Sequence, residues 1–124
     1  MSGDLLKKYC WRLINFHPAI LPMYPGRKAI DQAVEHGNTL LVGNTAHFMD
    51  EGVDTGKIIM QSVIPINAFM ENGRDYDIVL DLQVEMLNRL IRIINNNNLK
   101  VDKNGNVIVI GGNYTEAAFF PKII

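Results

Sequence analysis

Two stretches rich in β-branched and apolar residues, Thr39 to Met49 and Lys57 to Ile66, flank the polar, glycine-bearing run Asp50 to Gly56. Such side chains suit a pleated, half-buried surface, so each stretch reads as a strand and the two as a hairpin. Gly43, inside the first, marks a bulge or a close backbone approach. The connecting loop is longer than a tight turn requires, and it holds three carboxylates, Asp50, Glu51 and Asp54. Surplus length of this kind is more often functional than structural.

A third strand precedes the hairpin. Arg12 to Phe16 is short and apolar, and Pro18 closes it: without an amide hydrogen, and with φ fixed, proline ends the ladder at His17. Asn15 and His17 stand two apart and share one face at the strand's carboxyl end, with Phe16 on the other. Open α/β sheets bind ligands at such strand ends. Pro22, Pro25 and Gly26 make Leu21 to Gly26 a loop. Arg27 to His36 then has helical spacing, with Ala29, Ile30, Ala33 and Val34 on one side and Gly37 as its stop.

Asp75 or Asp77 opens the longest helical segment, which runs to about Asn95 with Ile78, Leu82, Glu85, Met86, Arg89, Leu90 and Ile93 recurring at three and four. The run Asn95 to Asn98 ends it. Leu99 to Val101 and Val107 to Ile110 flank Asn104-Gly105, a strong hairpin-turn signal. Ser2 or Asp4 can cap a short helix through Lys8, and the tail from Asn113 shows no element. The pattern is α/β in one domain over residues 1–124.

Composition removes several classes. Twelve basic and thirteen acidic residues leave no cationic excess for phosphates, so no nucleic-acid partner is expected. Cys10 is the single cysteine, which rules out an internal disulfide and a cysteine-rich metal site and fits a reducing, cytoplasmic setting. His17, His36 and His47 lack ligand spacing, so no metal is expected. The N-terminus carries no signal-peptide pattern, and no apolar run reaches the ~20 residues a membrane span needs.

The run Asn15-Phe16-His17-Pro18-Ala19-Ile20-Leu21-Pro22 resembles the Asn-x-His-Pro-Ser-Leu-Leu-Pro signature of the 10-formyltetrahydrofolate-dependent formyltransferases. The likeness continues through Tyr24-Pro25-Gly26 and resumes from Gly43 through Asp54-Thr55-Gly56 to Gln61. Within the family, His47-Phe48 and Tyr24-Pro25-Gly26 favour the glycinamide ribonucleotide branch over the methionyl-tRNA branch. The fold implied is the C-terminal half of a Rossmann-like formyltransferase domain, with a long strand hairpin and a long packing helix.

The resemblance implies a formyl group passing from 10-formyltetrahydrofolate to a primary amine, in purine biosynthesis if that amine is glycinamide ribonucleotide. It assigns catalysis to Asn15, His17 and Asp54. The segment carrying His47, Phe48, Met49, Asp50 and Val53 would hold the folate, and Glu85 and Pro18 the substrate. Such chemistry needs hydrogen-bond donors where an oxyanion develops, and a carboxylate beside an imidazole favours the imidazolium. No metal is implied. Departures are Ala19 for the usual Ser, Lys57 for a usual Pro, and Met86-Leu87-Asn88-Arg89 after Glu85. The tail Ala118-Phe119-Phe120-Pro121-Lys122 is similar to that of sugar-nucleotide and tRNA-type formyltransferases, so an amino-sugar nucleotide is the alternative amine.

The family's first half, with its glycine-rich phosphate loop, has no counterpart in these residues. The expectation is a truncated chain whose first strand forms an open parallel edge, and which self-associates or pairs with an N-terminal half. A non-catalytic remnant acting by association is the third reading.

Overall fold

A computed structural model describes residues 8, 12–21, 23–24, 26–36, 39–50, 56–114 and 119–123. The N-terminal helix expected from Ser2 or Asp4 to Lys8, Cys10, the helix stop at Gly37, and the loop residues Glu51, Gly52, Val53, Asp54 and Thr55 lie outside the described residues, Lys8 itself excepted.

Strand β1 (Ile14–His17) pairs antiparallel with β2 (Leu41–Phe48), which pairs antiparallel with β3 (Ile58–Pro65). Among the described residues β1 is an edge, as expected, but not a parallel one: its neighbour β2 runs antiparallel. The hairpin expected from residues 39–66 is therefore β2 and β3. Gly43 is the close approach and not the bulge: a Cβ there would lie 2.0 Å from the Ser62 carbonyl oxygen. The register irregularity falls at Ala46/His47, where Ala46 faces Met60 and His47 faces Ile58. Bulges increase local twist and re-aim side chains beside functional sites.

Alternation along β2 sorts its residues between two faces. Ala46 and Phe48 join Ile59, Met60, Met86, Leu90, Ile93 and Val109 in one buried cluster, with Ile14 and Phe16 of β1 packed against it. The other face carries Thr45 and His47, opposite His17 and Asn15 in the β1 register. Helix α1 (Ala29–His36) follows β1, a short helix α2 (Ile66–Met70) follows β3, and the 20-residue α3 (Tyr76–Asn95) covers the sheet. Val79, Met86, Leu90 and Ile93 form the buried stripe of α3. Each such side chain, fully buried, contributes roughly 1.5–3 kcal/mol. Ile30, Ala33, Val42, Phe69 and Val79 make a second cluster joining α1 to the sheet. Asp31 on α1 accepts hydrogen bonds from the Arg74 guanidinium and the Tyr76 hydroxyl, closing the α1–α3 contact at the surface.

The second hairpin joins β4 (Leu99–Val101) to β5 (Val107–Val109). Its loop is held by the Asp102 carboxylate, which accepts from the amides of Asn104 and Asn106, and Gly105 supplies φ +79. The tail does form elements: β6 (Gly112–Asn113) pairs with β8 (Lys122–Ile123), and β7 (Phe119–Phe120) adds to β3. Two-residue strands carry no periodicity, so pairing with an available edge decides them.

Candidate active site

The carboxyl end of β1 places Asn15 and His17 on the face away from α3. Asn15 sits directly across from His47 in the ladder, and its amide nitrogen Nδ2 lies 3.5 Å from His47 Nε2. His47 Nδ1 lies 2.9 Å from the Phe48 carbonyl oxygen. A carbonyl only accepts, so Nδ1 carries the hydrogen and Nε2 is the acceptor toward Asn15. This inferred tautomer turns the Asn15 amide nitrogen inward along the site. One of its two hydrogens is directed at His47.

His17 is 5% exposed, and its Nε2 donates to the Tyr24 carbonyl at 2.9 Å. That carbonyl is aimed by a loop under strain: Tyr24 has φ +53, in the left-handed region that side chains avoid. Two polar side chains keep the loop on the sheet. The Thr45 hydroxyl donates to the Ala19 carbonyl at 2.7 Å and accepts from the Leu21 amide at 3.1 Å. Gln61, across from Thr45 in the hairpin, donates to the Leu21 carbonyl at 2.9 Å and to the Thr45 oxygen at 3.0 Å. The sequence reading missed both Thr45 and Gln61. The available signal was their parity with His47, since 45 and 47 share a face of β2.

The remaining assigned residues divide. Asn15, His17 and His47 come together on one face. Pro18, half-buried, starts the strained loop. Phe48 turns its ring into the core on the opposite face and offers the site its carbonyl alone. Met49 is half-buried, with its amide bonded to the Leu13 carbonyl, and Asp50 is exposed. Val53 and Asp54 lie outside the described residues. Glu85 is not brought to this face. It lies on α3, across the sheet, half-exposed and paired with Arg89 one turn on at 3.1 Å. The α3 polar side chain that does reach the sheet is Gln83, which donates to Asn44 Oδ1 at 2.9 Å. At the loop's return, a Cβ on Gly56 would lie 1.6 Å from the Phe48 carbonyl oxygen and 3.4 Å from His47 Nδ1. Among the described residues no group of three or more His, Cys, Asp or Glu side chains could hold a metal ion, and no helix is long and apolar enough to cross a membrane.

An amide donor and two imidazoles thus share one face at the carboxyl ends of β1 and β2, beside a loop held at positive φ. The chain belongs to the formyl transferase family, whose profile matches residues 1–91.

Its relatives are purine-pathway and tRNA-modifying proteins. The chain is 46% identical over 68 residues to phosphoribosylglycinamide formyltransferase from Bacillus subtilis, covering 54% of this chain and 34% of that protein. It is 33% identical over 105 residues to methionyl-tRNA formyltransferase from Clostridium acetobutylicum, covering 85% and 34%. The fold matches phosphoribosylglycinamide formyltransferase from Anaplasma phagocytophilum at TM-score 0.79 and 24% identity, over 90% of this chain and 54% of that one. Glycinamide ribonucleotide transformylase 1 from Symbiobacterium toebii matches at TM-score 0.63 and 31% identity, over 87% and 50%. The chain thus spans about half the length of these solved relatives. The architecture expected, part of a Rossmann-like formyltransferase domain with a strand hairpin and a long packing helix, is the one found.

Proposed function

We propose that this chain carries the catalytic strand end of a transferase that moves a formyl group from 10-formyltetrahydrofolate to the amine of glycinamide ribonucleotide. The observation behind the reading is the Asn15–His47–His17 face. An amine attacking the formyl carbon makes a tetrahedral oxyanion, and the Asn15 amide, at the strand end beside His47, is the donor assigned to it. Removing one such donor costs about 10²–10³ in rate. His17, whose Nε2 donates to the Tyr24 carbonyl, is assigned by its place in the family motif to pass a proton to the departing N10. Asp54, by its place in the family motif, is assigned to support that transfer. The backbone from His47 to Asp50 would line the pterin.

The match to a methionyl-tRNA formyltransferase, which runs further along this chain than the purine-enzyme match, supports a second reading in which the amine differs. An amino-sugar nucleotide is a further candidate. Association with another copy, or with the remainder of a formyltransferase domain, is proposed for the edge that β1 presents.

The test is formyl transfer from 10-formyltetrahydrofolate by the chain, with each amine in turn, native against His17→Ala. The expected loss is on the order of 10²–10⁴. Near-equal rates remove His17 from the chemistry. The chain alone is expected to turn over poorly or not at all, so the comparison is made with the N-terminal half of a formyltransferase domain supplied; no turnover with any amine in that complete context rejects the transferase reading in favour of a folded remnant.

A further inference from the structure

Helix α3 is apolar on two adjacent faces, and only one of them is used. Val79, Met86, Leu90 and Ile93 are buried against the sheet. Leu80, Val84, Leu87, Ile91 and Ile94 are 43–55% exposed. These five recur at four, three, four and three, the heptad spacing of a helix that packs along another helix. At about 100° per residue the exposed stripe is centred roughly 110° from the buried one. Ile94 carries it into a cleft of about 310 Å³ bounded by Arg12, Ile14, Phe48 and Leu99. The stripe is thereby continuous with the β1 edge.

We infer that this stripe is a self-association surface, filled by α3 of a second copy running antiparallel. Two features of the helix select a copy over a foreign partner. The stripe is symmetric about Leu87: Leu80 and Ile94 stand seven residues to either side, and Val84 and Ile91 three and four. Charge beside the stripe is antisymmetric about the same point, with Asp77 and Asp81 toward the N-terminus and Arg92 toward the C-terminus, whereas Arg89 lies on the opposite side of the helix, paired with Glu85. A two-fold axis at Leu87 lays apolar on apolar and the acidic end of one helix beside the basic end of the other. Isologous dimers have this self-complementarity. A parallel pair would set like charges together.

The helix is about 30 Å long and, with its side chains, about 10 Å wide, so a partner helix covers on the order of 300 Å² per copy. A standard interface covers about 800 Å² per partner. The association is therefore weak, reversible and concentration-dependent. This surface adjoins but is distinct from the β1 edge proposed above for association, and the inference is independent of the catalytic reading.

The experiment is sedimentation velocity on the native chain, Leu87→Glu, Leu87→Lys, and an equimolar mixture of the two variants, from about 1 μM to about 1 mM. Leu87 is exposed, so both variants keep the native fold, which circular dichroism verifies. The native chain should pass from one chain to two with concentration. Each variant places like charges on the axis and should stay at one chain, and the mixture should return to two. A native chain that stays monomeric throughout overturns the proposal. Native-like association of Leu87→Glu shows that association uses another surface. Monomeric variants whose mixture stays monomeric show that Leu87 does not meet its own copy.

Discussion

Replacing Thr45 by Val keeps the shape of a fully buried side chain and removes one oxygen. That oxygen uses its whole bonding capacity, donating to Ala19 and accepting from Leu21 and Gln61. Thr45→Val leaves the Ala19 carbonyl and the Leu21 amide without this partner, and each buried orphan costs about 1–3 kcal/mol. The sum, about 2–6 kcal/mol, matches or exceeds the roughly 1.5–3 kcal/mol lost when the buried Leu21 side chain lifts off into water. Tyr24, held at φ +53, adds on the order of 1 kcal/mol of strain in the same direction. The loop should therefore detach before the domain unfolds, and the His17 Nε2 bond to Tyr24 should break with it. Three readouts follow: a stability loss of about 1–3 kcal/mol by urea denaturation, loss of hydrogen-exchange protection at Leu21, and a shifted His17 ring signal in nitrogen NMR. Thr45→Ser keeps the hydroxyl and should retain the last two. A Thr45→Val protein with an unchanged His17 signal and a stability loss under ~0.5 kcal/mol would refute the claim that this hydroxyl holds the loop over the site.

Gly56→Ala should be poorly tolerated, because its Cβ meets the Phe48 carbonyl that fixes His47; a native His47 tautomer by NMR in that variant contradicts the contact. Glu85→Gln should leave transfer within about twofold and cost no more than about 0.5 kcal/mol, as for an exposed pair one turn apart; a large rise in KM for the amine would return Glu85 to the substrate site. The Asp31 carboxyl is held below its ordinary range, first by the Tyr76 hydroxyl and then by Arg74, against the opposing effect of desolvation. A depressed carboxylate stabilises the fold above its unfolded pKa, near 3.9, and that contribution is lost as pH falls through the folded value. Denaturation midpoints should drop on acidification below about pH 4, and Asp31→Asn should flatten that limb; an identical acid limb in the variant excludes the Asp31 contact as a source.

Local rules settled the elements here. Pro18 ended β1 at His17, β-branched runs made β2 and β3, and three-and-four spacing made α3, because each signal acts through a residue's own backbone or immediate neighbours. The parity of Asn15 and His17 put them on one side before any fold was known. Tertiary contact decided the rest. The ladder register set Asn15 against His47, and the far side of the sheet took Phe48's ring. Thr45 and Gln61 became the fastening of a loop whose sequence shows only prolines and a glycine. Glu85 and Gln83 have similar length and near-adjacent positions on one helix, yet a turn of some 200° sends one to solvent and the other to Asn44. That rotation depends on which stripe of α3 the sheet buries, a choice made by packing area summed over the whole helix and therefore invisible at either residue alone.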